Sequence, residues 1–298
     1  MACNVQGEEG NMRRILFPVD FSKRAENTAP LVRAMAIRFP AEVHLLHVLS
    51  YTPEIYGAME YVGQAADLIS VETMERWRQE KEEALRKFLP ALWSGLTVKE
   101  TVVTGDIAPA IVDQARDLAA DLIMMPTHGY GPFRRMLLGS ITSKVLHDAP
   151  CPVWTDAHAE DPEAWRPENI ERVLCGVDLE NDDVTRDVIG QAASFAKLLG
   201  AKLTVFHAMP AAAHHPGYPD LPGDLTDTLK NRLSALAGSA TADVHVTGGW
   251  PVEALRLYTR ENRPGLLVIG RGKHKGLGRL GSHAYAMIRE APCPVLSI

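Results

Sequence analysis

The apolar positions of this chain fall into short blocks that switch between two periods. Arg14–Val19 is a compact apolar run of strand length, whereas Ser22–Arg38 carries Ala25, Ala29, Val32, Met35 and Ala36 at helical spacing. Glu42–Leu49 is strand-like again, and residues 50–66, with Pro53, Gly57 and Gly63, read as a loop. Asp67–Leu89 predicts a long amphipathic helix with Glu, Arg and Lys on its outer face. Strand Thr97–Val103, helix Ile107–Ala119, strand Asp121–Met125, helix Ser140–His147 and strand Cys151–Trp154 follow. Alternating helices and strands, with strands apolar on both faces, predict a parallel sheet covered by helices on both sides. Its crossovers should be right-handed.

The plan then repeats. Strands are expected over Arg172–Val177, Lys202–His207, Asp243–Thr247, Leu266–Ile269 and Val295–Ile298, with a shorter second helix over Asp224–Ala237. Landmarks recur in order: Asp20 with Asp178, His47-Val48 with His207-Ala208, Thr104-Gly105 with Thr247-Gly248, and Gly139-Ser140 with Gly281-Ser282. Ala149-Pro-Cys-Pro-Val153 returns as Ala291-Pro-Cys-Pro-Val295. The unit is a whole domain, far longer than the roughly 20–50 residues of a solenoid repeat.

The expected fold class is therefore α/β: two tandem open parallel five-stranded sheets with helices on both faces. The domains are 1–157 and 169–298, with a linker over 158–168. The stretch Thr155–Asn169, acidic with two prolines, reads as exposed and non-helical. Pro152 and Pro294 place the last strand of each half at a sheet edge, because proline cannot donate to a ladder.

Composition narrows the functional classes. A net charge of −6 argues against bulk capture of nucleic acid. No apolar run reaches membrane-spanning length, and the first residues lack a signal-peptide core. The four cysteines show no metal spacing, and Cys151, Cys175 and Cys293 sit in strand contexts as small buried hydrophobes. A cytoplasmic location is expected.

In an open parallel sheet, ligands bind beyond the carboxyl ends of the strands where strand order reverses. A chain that starts mid-sheet brings strands 1 and 4 together. One crevice then receives Asp20-Phe21-Ser22 and Pro126-Thr-His-Gly129 in the first half, and Asp178-Leu-Glu180 and Gly270-Arg-Gly-Lys273 in the second. A glycine-rich loop leads from there to a helix opening at Gly139-Ser140-Ile141, whose free N–H groups suit a phosphate. Arg134 and Arg135, and Lys273, Lys275 and Arg279 in the second copy, could add charge or form a solvated face. Asp20 and Ser22 are equally ordinary N-caps, and Ser140 by itself reads as one. His47 and His207 read as structural, and His214-His215 is a weak metal signal without a third ligand.

These motifs together resemble the universal stress protein family across nearly all of residues 12–298. Phe17-Pro-Val-Asp-Phe-Ser22, the His47-Val48 strand end, Pro126-Thr-His-Gly129, Leu138-Gly-Ser140 and the repeated Ala-Pro-Cys-Pro-Val carry the resemblance. It implies an adenine-nucleotide alpha-hydrolase-like fold with strand order 3-2-1-4-5, arranged as an internal pseudo-dimer, with homodimerisation open. It implies ATP, with or without Mg2+, as ligand. Asp20 and Val48 would hold adenine and ribose, with Pro18 lining the pocket. Met125 would cover the base and sugar, and Gly129, Gly139, Ser140 and Ile141 would hold phosphates.

In the second half Asp178, Ala208, Gly270, Lys273, Gly281 and Ser282 take these places. Two departures stand out: Pro126 replaces the leading glycine of the first loop, and Lys273 replaces the second glycine of the other. That second loop spans eight positions to Gly281, where Gly129 to Gly139 spans ten. The first half, where the spacing survives, is the favoured nucleotide site. The competing reading is a ligand-free interaction module. A hydrolase would need a positioned base and a metal, and neither His128 nor Asp20 compels one, so the chain is not read as an enzyme.

Overall fold

The computed structural model describes residues 12–50, 71–127, 138–156, 167–209, 222–271 and 281–298. The first half runs β1 (Arg14–Pro18), α1 (Lys23–Arg38), β2 (Glu42–Leu49), α2 (Val71–Arg86), β3 (Val98–Thr104), α3 (Ile107–Asp117), β4 (Leu122–Pro126), α4 (Ser140–Asp148) and β5 (Val153–Asp156). The second half answers with β6 (Arg172–Gly176), α5 (Asp182–Leu199), β7 (Lys202–Met209), α6 (Gly223–Ala237), β8 (Ala242–Gly248), α7 (Pro251–Asn262), β9 (Leu266–Ile269), α8 (Ser282–Glu290) and β10 (Val295–Ser297).

Within each half the order is the expected 3-2-1-4-5, and all pairings inside a half are parallel. The two sheets do not remain separate. β5 and β10 pair antiparallel, which makes one ten-stranded sheet in the order β3-β2-β1-β4-β5-β10-β9-β6-β7-β8. Trp154 faces Leu296, its own counterpart in the repeat, while Val153 meets Ser297 and Thr155 meets Val295. That exchange is what a twofold axis through the seam requires.

The expected edge position of the last strands is thus corrected: each is the edge of its own half but lies in the middle of the whole sheet. Pro152 and Pro294 are compatible with this because they precede their strands. Each contributes a carbonyl, to Ile123 and Leu267 respectively (both 3.0 Å), and owes no N–H to the ladder. The linker is corrected too, since Thr155 and Asp156 belong to β5 and are buried.

Alternation along the strands builds two cores, one per face. Ile15, Phe17, Val43, Leu45, Met124 and Trp154 pack with α1 and α2, and continue into Val173, Cys175, Val205 and Leu296. Leu16, Leu46, Ile123, Val153, Leu174, Leu267 and Val295 pack on the opposite face with α3, α4, α7 and α8. Each core crosses the seam.

Cys151, Cys175 and Cys293 are buried and unbridged, as their strand contexts predicted. Burial pushes the Cys175 and Cys293 thiols up to about 12, so both stay protonated and inert. Among the described residues no helix is long and apolar enough to cross a membrane.

Four imidazoles share one bias. Burial, the largest influence on each, holds His44, His47, His207 and His245 below their ordinary value of 6.5. Below about pH 6.5 the unfolded chain therefore takes up protons that the folded chain refuses. Stability is undiminished above that pH, falls as pH drops through it, and levels off once the folded imidazoles titrate as well. Melting followed by circular dichroism should give a lower Tm at about pH 5 than at about pH 7.5; a Tm that holds or rises would contradict the assignment.

Candidate functional site

The aspartate-bearing turn is built the same way in both halves. In the first, Val19 N–H donates to the Leu46 carbonyl (2.8 Å) as β1 ends. Asp20 Oδ1 then accepts from Ser22 N–H (2.9 Å), and Ser22 Oγ accepts from Ala25 N–H (3.2 Å). Ser22 is the N-cap of α1, while Asp20 shapes the turn and stays exposed. Phe21 between them sits at φ +58°, a left-handed conformation unusual for an aromatic residue. Its ring is held 4.6 Å from His47 and 6.1 Å from Phe88, with Lys81 Nζ 5.7 Å above it. His47 Nδ1 donates to the Val19 carbonyl (2.7 Å), which fixes the tautomer and ties the β2 end to the turn.

In the second half Val177 N–H donates to Phe206 O (3.0 Å), Asp178 Oδ1 accepts from Glu180 N–H (3.3 Å), and His207 Nδ1 donates to Val177 O (3.0 Å). This turn is longer, and it relaxes: no left-handed residue is needed. Asn181 caps α5, and Thr185 Oγ1 reaches back to the Asp178 and Asn181 carbonyls (2.7 and 2.8 Å). Arg232 of α6 grips Asp182 (2.6 Å) and the Leu179 carbonyl (3.0 Å). The two histidines are structural, as expected, and what they hold in place is the aspartate turn.

Gly139 and Gly281, rather than the serines, are the N-caps of α4 and α8, with φ −59° and −55°. Ser140 and Ser282 are the first helical residues, which corrects the reading of Ser140 as a cap. Among the described residues no side chain caps either helix. Each helix start is drawn back to the end of the fourth strand: Gly139 N–H donates to Thr127 O and Gly281 N–H to Arg271 O (both 3.1 Å). The Thr104-Gly105 match also shifts by one residue. Gly105 and Gly249 are the equivalents, donating to Leu49 O (3.1 Å) and Met209 O (2.9 Å).

These elements converge on a cavity of about 370 Å³ in the second half, within the range of small-molecule sites. Of the expected residues, Asp178, Ala208 and Gly270 line it. Gly281 and Ser282 open the helix whose next residues, His283 and Ala284, also line it. Phe206, Leu255, Ile269 and Met287 supply apolar surface, while Glu180 and His207 supply polar groups. Val184 of α5, on the cavity wall, is 56% exposed, an apolar side chain left facing open space.

The sequence pattern did not single out Val184, Val188, Leu255 or His283, because each is one ordinary position on an amphipathic helix. Gly176 has a local reason: a Cβ there would stand 2.9 Å from Leu255 Cδ2, so the glycine makes room for that leucine in the wall. A Cβ at Gly270 would stand 3.2 Å from Val188 Cγ2. Burial holds His207 below its ordinary value despite the opposing pull of the Val177 hydrogen bond and Asp178. At neutral pH it is uncharged, with Nε2 as acceptor.

In the first half Pro18, Asp20, Val48 and Met125 stand at the carboxyl ends of β1, β2 and β4, which are adjacent strands, and Gly139, Ser140 and Ile141 open α4. Gly129, Lys273, His128, Arg134, Arg135, Lys275, Arg279 and His214-His215 lie outside the described residues.

Fold and hollow together define a duplicated, doubly wound α/β protein with a ligand-sized crevice at a topological switch point. The family model described as the universal stress protein family matches residues 11–155 and 169–298, and the chain belongs to that family, in tandem form. Universal stress protein MJ0577 of Methanocaldococcus jannaschii is 33% identical over 153 residues, covering 47% of this chain and 92% of the relative. Universal stress protein MJ0531 of the same organism is 30% identical over 151 residues, 50% of this chain and 84% of the relative. A universal stress protein structure from Archaeoglobus fulgidus superposes over 97% of both chains with a TM-score of 0.67 at 21% identity, a likeness of fold.

Proposed function

We propose that this universal stress protein binds ATP or a related adenine nucleotide in the second-half cavity and at the corresponding strand ends of the first half, and that occupancy shifts a partner-binding surface. The observation that carries this reading is the cavity that joins Asp178, Ala208 and Gly270 to the start of α8. Asp178 would accept hydrogen bonds from the ligand's hydroxyl or amino groups. Ala208, smaller than Val48, would leave room for the base. The N-terminus of α8 would face phosphate.

The units are domains 1–157 and 169–298, acting in the cytoplasm as binding modules rather than as an enzyme. Any Mg2+ would enter on the nucleotide's own phosphates.

Isothermal titration of the full chain with ATP tests the reading. Asp178→Ala should weaken the second site by about tenfold to a hundredfold, the worth of a hydrogen bond to a charged group. Asp20→Ala should do the same to the first. Absence of heat in the parent protein would favour a ligand-free interaction module instead.

A further inference from the structure

The two halves mirror each other at nearly every strand end, but not one residue beyond Gly270. The first half has Thr127, whose Oγ1 donates to the Asp156 carbonyl within its own half (3.2 Å). The second half has Arg271, a buried arginine 5% exposed, whose side chain leaves its own half. Its guanidinium donates to the carbonyls of Ala149 (2.7 Å) and Cys151 in the first half, and to Ser297 O (3.3 Å) in β10. Ala149 is the C-cap of α4, and Cys151 leads into β5.

The backbone of Arg271 is equally committed. Its N–H donates to Ile298 O (3.0 Å), and its carbonyl accepts the N–H of Gly281, the cap of α8. One residue thus joins a cavity wall at Gly270, the start of the helix bearing His283, the end of β10 and the far half of the protein. A guanidinium is permanently charged and planar, so a cluster of carbonyls fixes both its place and its orientation.

We propose that Arg271 is a positioning residue for the second-half site: its grip on the first half sets where Gly270 and the N-terminus of α8 stand, so that a cavity lined by the second half is braced by the first. The ligand arm of the test rests on the nucleotide reading above; the exchange arm does not.

Full-chain Arg271→Met and Arg271→Lys are the variants, and amide hydrogen exchange is the first measurement. Exchange at Gly281–Tyr285 should quicken in Arg271→Met and less in Arg271→Lys, while β3 and β8 keep their parent rates. Unchanged rates at Gly281–Tyr285, or an increase spread evenly over both halves, would overturn the proposal.

The second measurement is ATP titration in two backgrounds. With Asp20→Ala, which leaves the second site, Arg271→Met should weaken binding about tenfold, the worth of one well-placed hydrogen bond. With Asp178→Ala, which leaves the first, affinity should stay within about twofold, as for independent sites. Equal loss at both sites, or none at either, would also overturn it. If neither background takes up ATP, the nucleotide reading fails and the exchange rates alone decide. If Arg271→Met does not fold, Arg271→Lys carries both measurements.

Discussion

Trp154→Ala should cost about 3–5 kcal/mol of stability, the range for removing a large aromatic side chain from a packed core. Trp154 is fully buried in β5, opposite Leu296 of β10. It belongs to the core that runs from α1 across the seam to Val173 and Leu296. The void would therefore open where the halves join, so both halves should lose stability together. Trp154→Phe separates packing from polarity. The indole Nε1 is buried with no hydrogen-bond partner among the described residues, so phenylalanine keeps much of the ring and removes that donor. It should cost far less than alanine. Urea unfolding followed by far-UV circular dichroism measures both variants. The parent should show one cooperative transition, because both cores span both halves. Two separate transitions, with Trp154→Ala moving only one, would show that the halves are energetically independent.

Ala208→Phe should remove nucleotide binding at the second site by about a hundredfold or more, because the new ring would occupy the space offered to the ligand. Ala208 is nearly buried on β7 and lines the cavity between Phe206 and the helix starts. The added ring has a cavity of about 370 Å³ to enter, so the stability cost should stay within the usual range for overpacking, about 1–3 kcal/mol or less. Calorimetric titration in an Asp20→Ala background isolates the second site. Unchanged affinity there would mean that the ligand sits elsewhere.

The strands were legible because parallel strands buried on both faces read as continuous apolar runs: Arg14–Val19, Glu42–Leu49 and Leu266–Ile269 needed at most one residue of adjustment. The duplication was legible too, since Asp20 and Asp178 each open the turn that follows the first strand of their half. The seam was harder. Pro152 and Pro294 pointed to a sheet edge, whereas β5 and β10 pair with each other mid-sheet through backbone groups, which every sequence carries alike. Arg271 was hidden by its loop, where an arginine beside lysines looks like a solvated charge; only the fold shows it reaching Ala149 and Cys151. The cap at Gly139 was misassigned to Ser140 because serine is the better capping residue, whereas here glycine takes the extended cap conformation and Ser140 enters the helix. The cavity wall was legible at Asp178, Ala208 and Gly270, which stand at strand ends. It was not legible at Val188, Leu255 and His283, whose helical positions carry no mark of what they face.

Native mass spectrometry of the full chain, titrated with ATP, tests the central claim most directly. Two added nucleotide masses should appear on the parent protein, one on Asp20→Ala, and none on the double variant Asp20→Ala/Ala208→Phe. A parent chain that takes up no nucleotide, or a double variant that still takes up two, would contradict the account.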